Sequence, residues 1–272
     1  MDKYSVLTSI YLGSRLVEVR LAINSVLEQL SDLAELVLVI DGPIAPEMEE
    51  YVVKLVGDLG NQLVLVQLDK NYGLWYALNS GLKSCSHDII VRMDTDDLLF
   101  PNRFEIQLAY MRNNREVDVV GMDIIEFSDS TVSLGRRRSS WNNYFGYLLT
   151  SPVFHPTVAF RKKKIVDVGG YPNVFLREDT ALWLKCKRAG YNISLISVPG
   201  VYFRVSDGQI ERRRGFKYFV SDIKLFWSRI MAFPQFSVCT LLVYLTVLPI
   251  LRLIPLKGLT VMRESLKNVG RR

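Results

Sequence analysis

Along the first half of the chain, short unbroken apolar runs alternate with longer stretches whose apolar positions recur every three or four residues. Tyr4-Ser5-Val6-Leu7-Thr8-Ser9-Ile10 is such a run, and Val17 to Leu30 follows it with Val19, Ile23, Val26, Leu27 and Leu30 at helical spacing. Leu36-Val37-Leu38-Val39-Ile40 is continuous, rich in β-branched residues, and stops at Asp41-Gly42-Pro43. A strand of this kind is covered on both faces, as in a parallel sheet. Glu47 to Leu59 predicts a second helix, Leu63-Val64-Leu65-Val66 a third strand, Gly73 to Ser84 a third helix and Asp88-Ile89-Ile90-Val91-Arg92-Met93 a fourth strand. The resulting order, βαβαβαβ, predicts an α/β domain on a mostly parallel sheet with right-handed crossovers. No repeat or low-complexity segment interrupts it.

Composition narrows the class. The 272 residues are 49% hydrophobic and 23% charged, enough to bury a sizeable core, which excludes disorder, collagen and coiled coil. Three scattered cysteines, Cys85, Cys186 and Cys239, suggest neither a disulfide framework nor paired zinc ligands. Met1-Asp2-Lys3-Tyr4-Ser5 carries no basic segment followed by an apolar one, so a cytoplasmic setting is expected.

The net charge of +6 is unevenly placed: residues 204–272 hold thirteen Lys and Arg against four Asp and Glu. An anionic partner is implied for that end. No charged residue lies between Arg229 and Arg252, and the run Phe236-Ser237-Val238-Cys239-Thr240-Leu241-Leu242-Val243-Tyr244-Leu245-Thr246-Val247-Leu248 is too apolar for a nucleic-acid face, so an anionic membrane surface is expected and no nucleic acid. A helix between Pro234 and Pro249 has fourteen residues, about 21 Å against a hydrocarbon core of roughly 30 Å. Basic residues flank it on both sides, Arg212, Arg213, Arg214, Lys217, Lys224 and Arg229 before and Arg252, Lys257, Arg263, Lys267, Arg271 and Arg272 after, against the asymmetry of a single span. We expect an interfacial or re-entrant element on the cytoplasmic face. A buried core helix of the same domain is the alternative.

In an open α/β sheet, ligands sit beyond the carboxyl ends of the strands, and here those ends carry carboxylates. Asp41 closes the second strand, and the fourth runs into Asp94-Thr95-Asp96-Asp97-Leu98-Leu99-Phe100-Pro101. Three neighbouring carboxylates repel unless something compensates, and a hard divalent cation, Mg²⁺ or Mn²⁺, suits oxygen ligands and bridges phosphates. An acidic turn capping a helix near Pro101 is the other reading. Neither a Gly-x-x-x-x-Gly-Lys-Ser/Thr loop nor a Gly-x-Gly-x-x-Gly occurs, which argues against a P-loop NTPase or a dinucleotide enzyme.

Asp41-Gly42, then Asn71-Tyr72-Gly73-Leu74 with Ala77-Leu78-Asn79-Ser80-Gly81-Leu82, then Asp94-Thr95-Asp96-Asp97 together resemble the family 2 inverting glycosyltransferases of GT-A fold, over about residues 4–205. The resemblance implies a Rossmann-like GT-A catalytic domain over 1–205, with a nucleotide-sugar half to about residue 100 and an acceptor half beyond it. Residues 206–272 are then a C-terminal amphipathic, membrane-associating tail. By the same resemblance Asp96 is the metal ligand, Asp94 approaches ribose or metal beside Thr95, and Asp97 lines the sugar pocket. Thr8, Ser9 and Tyr11 match the segment that cradles the nucleotide, Asp41 the carboxylate that accepts from the uracil ring N–H, and Asn71 and Gly73 the segment closing over the nucleotide.

An inverting displacement needs a base for the acceptor hydroxyl. In Arg177-Glu178-Asp179-Thr180 the residue matching the family's base is Asp179, with Glu178 in reserve; taken alone, the pair also reads as a helix's acidic first turn. His155, in His155-Pro156-Thr157-Val158, resembles a segment of bacterial polysaccharide members and is a candidate contact for diphosphate or acceptor, a structural hydrogen-bonding histidine being the other reading. Arg204, before Asp207-Gly208-Gln209 and Arg212-Arg213-Arg214, lies where family members carry a mobile loop over the donor, with lipid binding as the other reading. Arg136-Arg137-Arg138, beside Ser139, Ser140 and Trp141, is a further candidate for acceptor pyrophosphate. Gly42-Pro43 departs from the family, whose commoner pattern has a second carboxylate there, and the Gln-x-x-Arg-Trp signature of processive synthases is missing. The expectation is a metal-dependent transferase moving one sugar, galactose from UDP-galactose, from a nucleotide diphosphate donor to a lipid-diphosphate-linked saccharide, in O-antigen or capsule synthesis at the cytoplasmic face of the inner membrane, peripheral or monotopic. The alternatives are a nucleotidyltransferase acting on sugar phosphates and a non-catalytic membrane-docking scaffold of the same fold.

Overall fold

The computed structural model describes residues 3–128, 131–138, 151, 153–206 and 216–246. The proposed loop over the donor at 207–214, the Ser139-Ser140-Trp141 segment and the tail from Val247 to Arg272, with Pro249 and its basic flank, lie outside the described residues.

Strands β1 (Tyr4–Tyr11), β2 (Glu35–Asp41), β3 (Leu63–Gln67) and β4 (Ile89–Arg92) pair in parallel in the order β3-β2-β1-β4. Helices α1 (Leu16–Leu27), α2 (Pro46–Leu59) and α3 (Leu74–Ser84) connect them, as the apolar spacing predicts. Every residue of β2 is buried, because its alternating side chains face two separate cores. Val37 and Val39 pack with Ala77 and Leu78 of α3, while Leu36, Leu38 and Ile40 pack with Val19 and Ile23 of α1 and Met48 of α2. β3 is the half-exposed edge.

Beyond β4 the sheet changes direction. The short β5 (Leu98–Leu99) and α4 (Arg103–Asn113) lead to the long β6 (Val119–Ser128), which pairs with β7 (Thr131–Arg137) as a hairpin. A three-residue strand, β8 (Ala159–Arg161), runs antiparallel between β4 and β6, and β9 (Ile193–Arg204) lies parallel to β6 and antiparallel to β5. The sheet is therefore mixed, in the order β3-β2-β1-β4-β8-β6-β9-β5. Helices α5 (Lys162–Asp167) and α6 (Glu178–Arg188) fill the stretch between β8 and β9.

The described C-terminal residues form α7 (Phe216–Ala232) and α8 (Ser237–Leu245). Leu225, Phe233 and Tyr244 join the core that holds Leu182, Trp183 and Leu184 of α6, so this part of the tail packs on α6 rather than trailing from the sheet. Among the described residues no single helix is long and apolar enough to cross a membrane; Val220–Ala232 and Pro234–Leu245 reach that length only together, and they bend by 117° at their junction.

Candidate active site

The sheet register brings the predicted carboxylates to one rim. Tyr11 pairs with Asp41 across β1 and β2, and Leu7 pairs with Arg92 across β1 and β4. Thr8, Ser9 and Tyr11 at the end of β1 thus stand between Asp41 and the acidic turn after β4. Thr95 donates from Oγ1 to the Ser9 carbonyl at 3.1 Å and fastens that turn to β1. Thr8 is buried, and its Oγ1 has no hydrogen-bond partner.

Both oxygens of Asp41 are engaged: Oδ1 accepts from the Tyr72 amide at 2.8 Å and Oδ2 from the Gly73 amide at 2.9 Å. The carboxylate therefore shapes the Asn71-Tyr72-Gly73 turn, leaving Asn71 exposed at the rim. Gly42 explains the departure from the family pattern. Its φ is +84°, and a Cβ there would lie 2.5 Å from the Asn71 amide nitrogen. A second carboxylate cannot occupy this position while the turn lies against it.

One carboxylate oxygen from each of Asp94, Asp96 and Asp97 can be chosen so that all lie within 4.8 Å of one another. Three carboxylates this close, with only oxygen donors, fit a hard divalent cation. Asp97, expected at the sugar pocket, is sealed from solvent: Oδ1 accepts from the Arg204 amide at 2.8 Å while Oδ2 has no partner. Burial first, and then the charges of Asp96 and Asp94, push its carboxyl far above the usual carboxylate range. Arg204 is buried as well, with Nε 2.9 Å from the Asp96 carbonyl and 3.5 Å from Glu18 Oε1, and its guanidinium stacks on Phe127 at 4.6 Å. It braces the acidic turn from β9.

Arg92, which closes the otherwise apolar β4, is buried and pairs with Asp94. Its carbonyl accepts from Arg103 at 2.7 Å; Arg103 donates to Gln107 at 2.9 Å, and Gln107 donates to the Thr157 carbonyl at 2.7 Å. This buried chain carries the His155-Pro156-Thr157 turn to the end of β4. His155 is buried, with Nε2 3.1 Å from the Tyr171 hydroxyl. Burial and the facing charge of Arg92 pull its pKa down to about 4 against the pull of Asp94 and Asp179, so the imidazole is neutral. Tyr171 is in turn held by Asn79 of α3, which donates to its carbonyl at 2.8 Å and accepts from its amide at 2.9 Å.

The opposite wall is the N-terminus of α6. Asp179 is partly exposed and accepts from the Thr180 hydroxyl at 3.3 Å, whereas Glu178 is buried and its carboxyl is pushed up to about 8 by burial, then by the charges of Asp179 and Asp94. Of the two, only Asp179 presents an accessible carboxylate. Arg136 and Arg137 are spent on Asp123 and Glu126 across the β6-β7 hairpin, at 2.6 and 2.8 Å. Arg92, Tyr171, Asn79 and Glu18 were not singled out as candidates from sequence; a lone arginine in an apolar strand was the one visible signal among them.

Comparison with known proteins gives the same outline. The sequence model of "Glycosyl transferase family 2" matches residues 5–177. The chain is 32% identical to the amylovoran biosynthesis glycosyltransferase AmsE of Erwinia amylovora, over 96% of this chain and 98% of that one. It is 35% identical to the UDP-Gal:alpha-D-GlcNAc-diphosphoundecaprenol beta-1,3-galactosyltransferase of Escherichia coli, over 82% and 81%. In fold it is similar to S. aureus TarS 1-349 in complex with UDP-GlcNAc, with a TM-score of 0.64 at 17% identity; the match covers 84% of this chain and 66% of that one.

Proposed function

Because the chain belongs to glycosyl transferase family 2, we propose that it moves a single galactose, with inversion, from UDP-galactose to a lipid-diphosphate-linked sugar during bacterial surface-polysaccharide synthesis. The observation that supports this reading is the acidic turn after β4, whose three carboxylates offer oxygens within 4.8 Å of one another, together with the partly exposed Asp179 carboxylate at the start of α6. The donor and acceptor follow the galactosyltransferase that is 35% identical to it.

Asp179 Oδ takes the proton of the acceptor hydroxyl; the acceptor oxygen bonds to the anomeric carbon from the face opposite the diphosphate, and UDP departs with the electron pair. No covalent enzyme intermediate is needed. Asp94 and Asp96 would hold a divalent cation, Mn²⁺ or Mg²⁺, with Asp97 behind them; when bound, that cation stabilises negative charge on the departing diphosphate. Thr8, Ser9 and Tyr11 line the nucleotide side of the rim, and Asn71 and Gly73 close over it. Neutral His155 offers a hydrogen bond without charge beside the acceptor.

The setting proposed is the cytoplasmic face of the inner membrane, with α7 and α8 against anionic lipid. These helices bury several polar residues and expose several apolar ones. Tyr218, Ser221, Asp222 and Arg229 of α7 and Thr240 and Tyr244 of α8 are buried, whereas Ile223, Trp227, Met231, Val238, Leu242 and Leu245 are exposed. Such inversion suits an apolar medium outside.

The test is calorimetric titration with UDP, GDP and dTDP, each with and without Mn²⁺, followed by transfer of labelled galactose from UDP-galactose to GlcNAc-diphosphoundecaprenol. Mn²⁺-dependent binding of UDP and formation of a β-linked product support the reading. Folded protein that binds none of the nucleotides favours a scaffold of the same fold.

A further inference from the structure

Behind the α6 wall lies a buried ionic contact that the transfer reaction does not itself require. Arg177, the residue before Glu178 and Asp179, points away from the site into the junction with α7. There its Nη2 is 3.1 Å from Asp222 Oδ1, with both side chains buried, and its guanidinium lies 4.9 Å from the Tyr218 ring. The Tyr244 hydroxyl of α8 donates to the Asp222 carbonyl at 2.8 Å and pairs with Arg229 of α7, so both C-terminal helices converge on Asp222.

We propose that the Arg177–Asp222 pair carries docking of α7 and α8 on an anionic bilayer into the placement of the Asp179 carboxylate, which makes Asp222 a positioning residue. This deepens the reading above and rests on it for the base and for the lipid.

Three observations support it. First, Arg177 belongs to the start of α6: its amide donates to the Val174 carbonyl at 3.0 Å, and its own carbonyl accepts from Ala181 at 2.9 Å, so a shift of its side chain moves the first turn that holds Asp179. Leu176 before it has φ +52°, a conformation that a leucine keeps only when its surroundings hold it. Secondly, burial works against the Arg177 charge, and Tyr218, Asp222 and Asp179 more than restore it, so the guanidinium stands in the field of both the α7 carboxylate and the candidate base. Its Nε has no partner, and its Nη2 bonds to the Asp222 carboxylate.

Thirdly, Asp222 sits on the buried stripe of an inverted helix whose outer stripe is Ile223, Trp227 and Met231, one helical turn apart, with Lys224 exposed beside them. In water that stripe stays hydrated and holds nothing; on a bilayer it is buried, which fixes α7 from its outer side while its polar stripe faces α6. Charge complementarity selects the surface: the segment from Arg204 onward holds thirteen basic residues against four acidic. A long lipid-linked acceptor meets the enzyme only at the membrane, so coupling of this kind aligns the base when acceptor is present.

The experiment is amide hydrogen exchange of the full chain, alone and with vesicles of phosphatidylethanolamine and phosphatidylglycerol, with flotation measured on the same samples. Expected is flotation of the wild type and slowing of exchange at the Arg177 and Ala181 amides by about tenfold or more. Asp222→Asn floats equally but keeps less than about twofold slowing, and Asp222→Glu recovers it. Trp227→Lys, at an exposed position, loses both flotation and slowing. With lipid-embedded acceptor, Asp222→Asn lowers kcat and leaves the KM for the nucleotide sugar unchanged. Flotation of the wild type without slowing overturns the proposal, as does undiminished slowing in Asp222→Asn or failure of the wild type to float. Should Asp222→Asn not fold, the wild type and Trp227→Lys decide alone. Exchange and flotation need no turnover, so a wrong donor or reaction shows as intact slowing without transfer.

Discussion

Asp97 Oδ1 accepts the amide of Arg204 at 2.8 Å, so the last residue of β9 is hydrogen-bonded to the acidic turn that follows β4. Because burial and the neighbouring carboxylates push the Asp97 carboxyl upward, an uncharged amide of the same shape is expected to replace it. Asp97→Asn is expected to keep the Arg204 bond and to unfold within about 1 kcal/mol of the wild type. Asp97→Ala leaves the buried amide unpaired beside a void and is expected to lose roughly 2–4 kcal/mol. Urea unfolding of the two variants makes the comparison; equal losses would mean that the folded state needs a charged Asp97.

The two candidate carboxylates for chemistry separate by what each removal leaves intact. Asp96→Ala is expected to abolish the Mn²⁺ dependence of UDP binding, while Asp179→Asn binds UDP and Mn²⁺ normally and lowers kcat by about 10²–10⁴-fold, the usual worth of a positioned base. Calorimetry and single-turnover transfer on the same preparations distinguish them. Normal turnover in Asp179→Asn would pass the role to another group, with Glu178 next in place.

The parallel half of the fold was legible because β1 to β4 are apolar on both faces and α1 to α3 keep helical spacing between them. The antiparallel half was not. β8 has only three residues, too few to show a period, and β9 carries Pro199 and Gly200 at an irregular register against β6. Asp94 and Asp96 could be picked out because carboxylates at a strand end stand out in a chain, whereas Asp179, alone an acidic first turn, is picked out through the family resemblance. Their supports could not, since the Arg92–Asp94 pair and the Arg103-Gln107-Thr157 chain exist only once distant segments meet. The apolar run after Arg229 read as a membrane element, but the buried polar stripe that fixes Asp222 and Tyr244 against α6 is a tertiary fact.

Two buried groups set opposing pH dependences of stability. His155 has its pKa lowered from 6.5 to about 4, so the unfolded chain takes up a proton that the folded one refuses. Its stabilisation is complete above about pH 6.5 and is lost as pH falls towards 4, roughly 3 kcal/mol in all. Glu178 has its pKa raised from 4.5 to about 8, so the folded chain holds a proton that the unfolded one has lost. Its contribution is complete below about pH 4.5 and is lost as pH rises through 8. Urea unfolding across this range is expected to show a plateau of greatest stability between about pH 4.5 and 6.5, where the two slopes cancel, and a fall from there to about pH 8. Glu178→Gln should lose the fall in stability between about pH 6.5 and 8 and unfold later than the wild type at pH 8; an unchanged fall would mean that Glu178 is ionised in the folded state.

Gly42 and Asp41 test how the nucleotide side of the rim is built. The Asp41 carboxylate holds the amides of Tyr72 and Gly73, and that hold requires the Asn71 backbone to lie where a Cβ on residue 42 would stand, 2.5 Å from its nitrogen. Gly42→Ala therefore combines a left-handed φ of +84° with a backbone clash that no rotamer relieves. A loss of about 2 kcal/mol or more is expected, together with at least tenfold weaker UDP binding, because the Asn71-Tyr72-Gly73 turn must move away from the rim. Asp41→Asn keeps one acceptor for the two amides and should weaken UDP binding less than Gly42→Ala. If Gly42→Ala binds UDP as the wild type does, the turn does not close over the nucleotide, and Thr8, Ser9 and Tyr11 must form that side of the site without it.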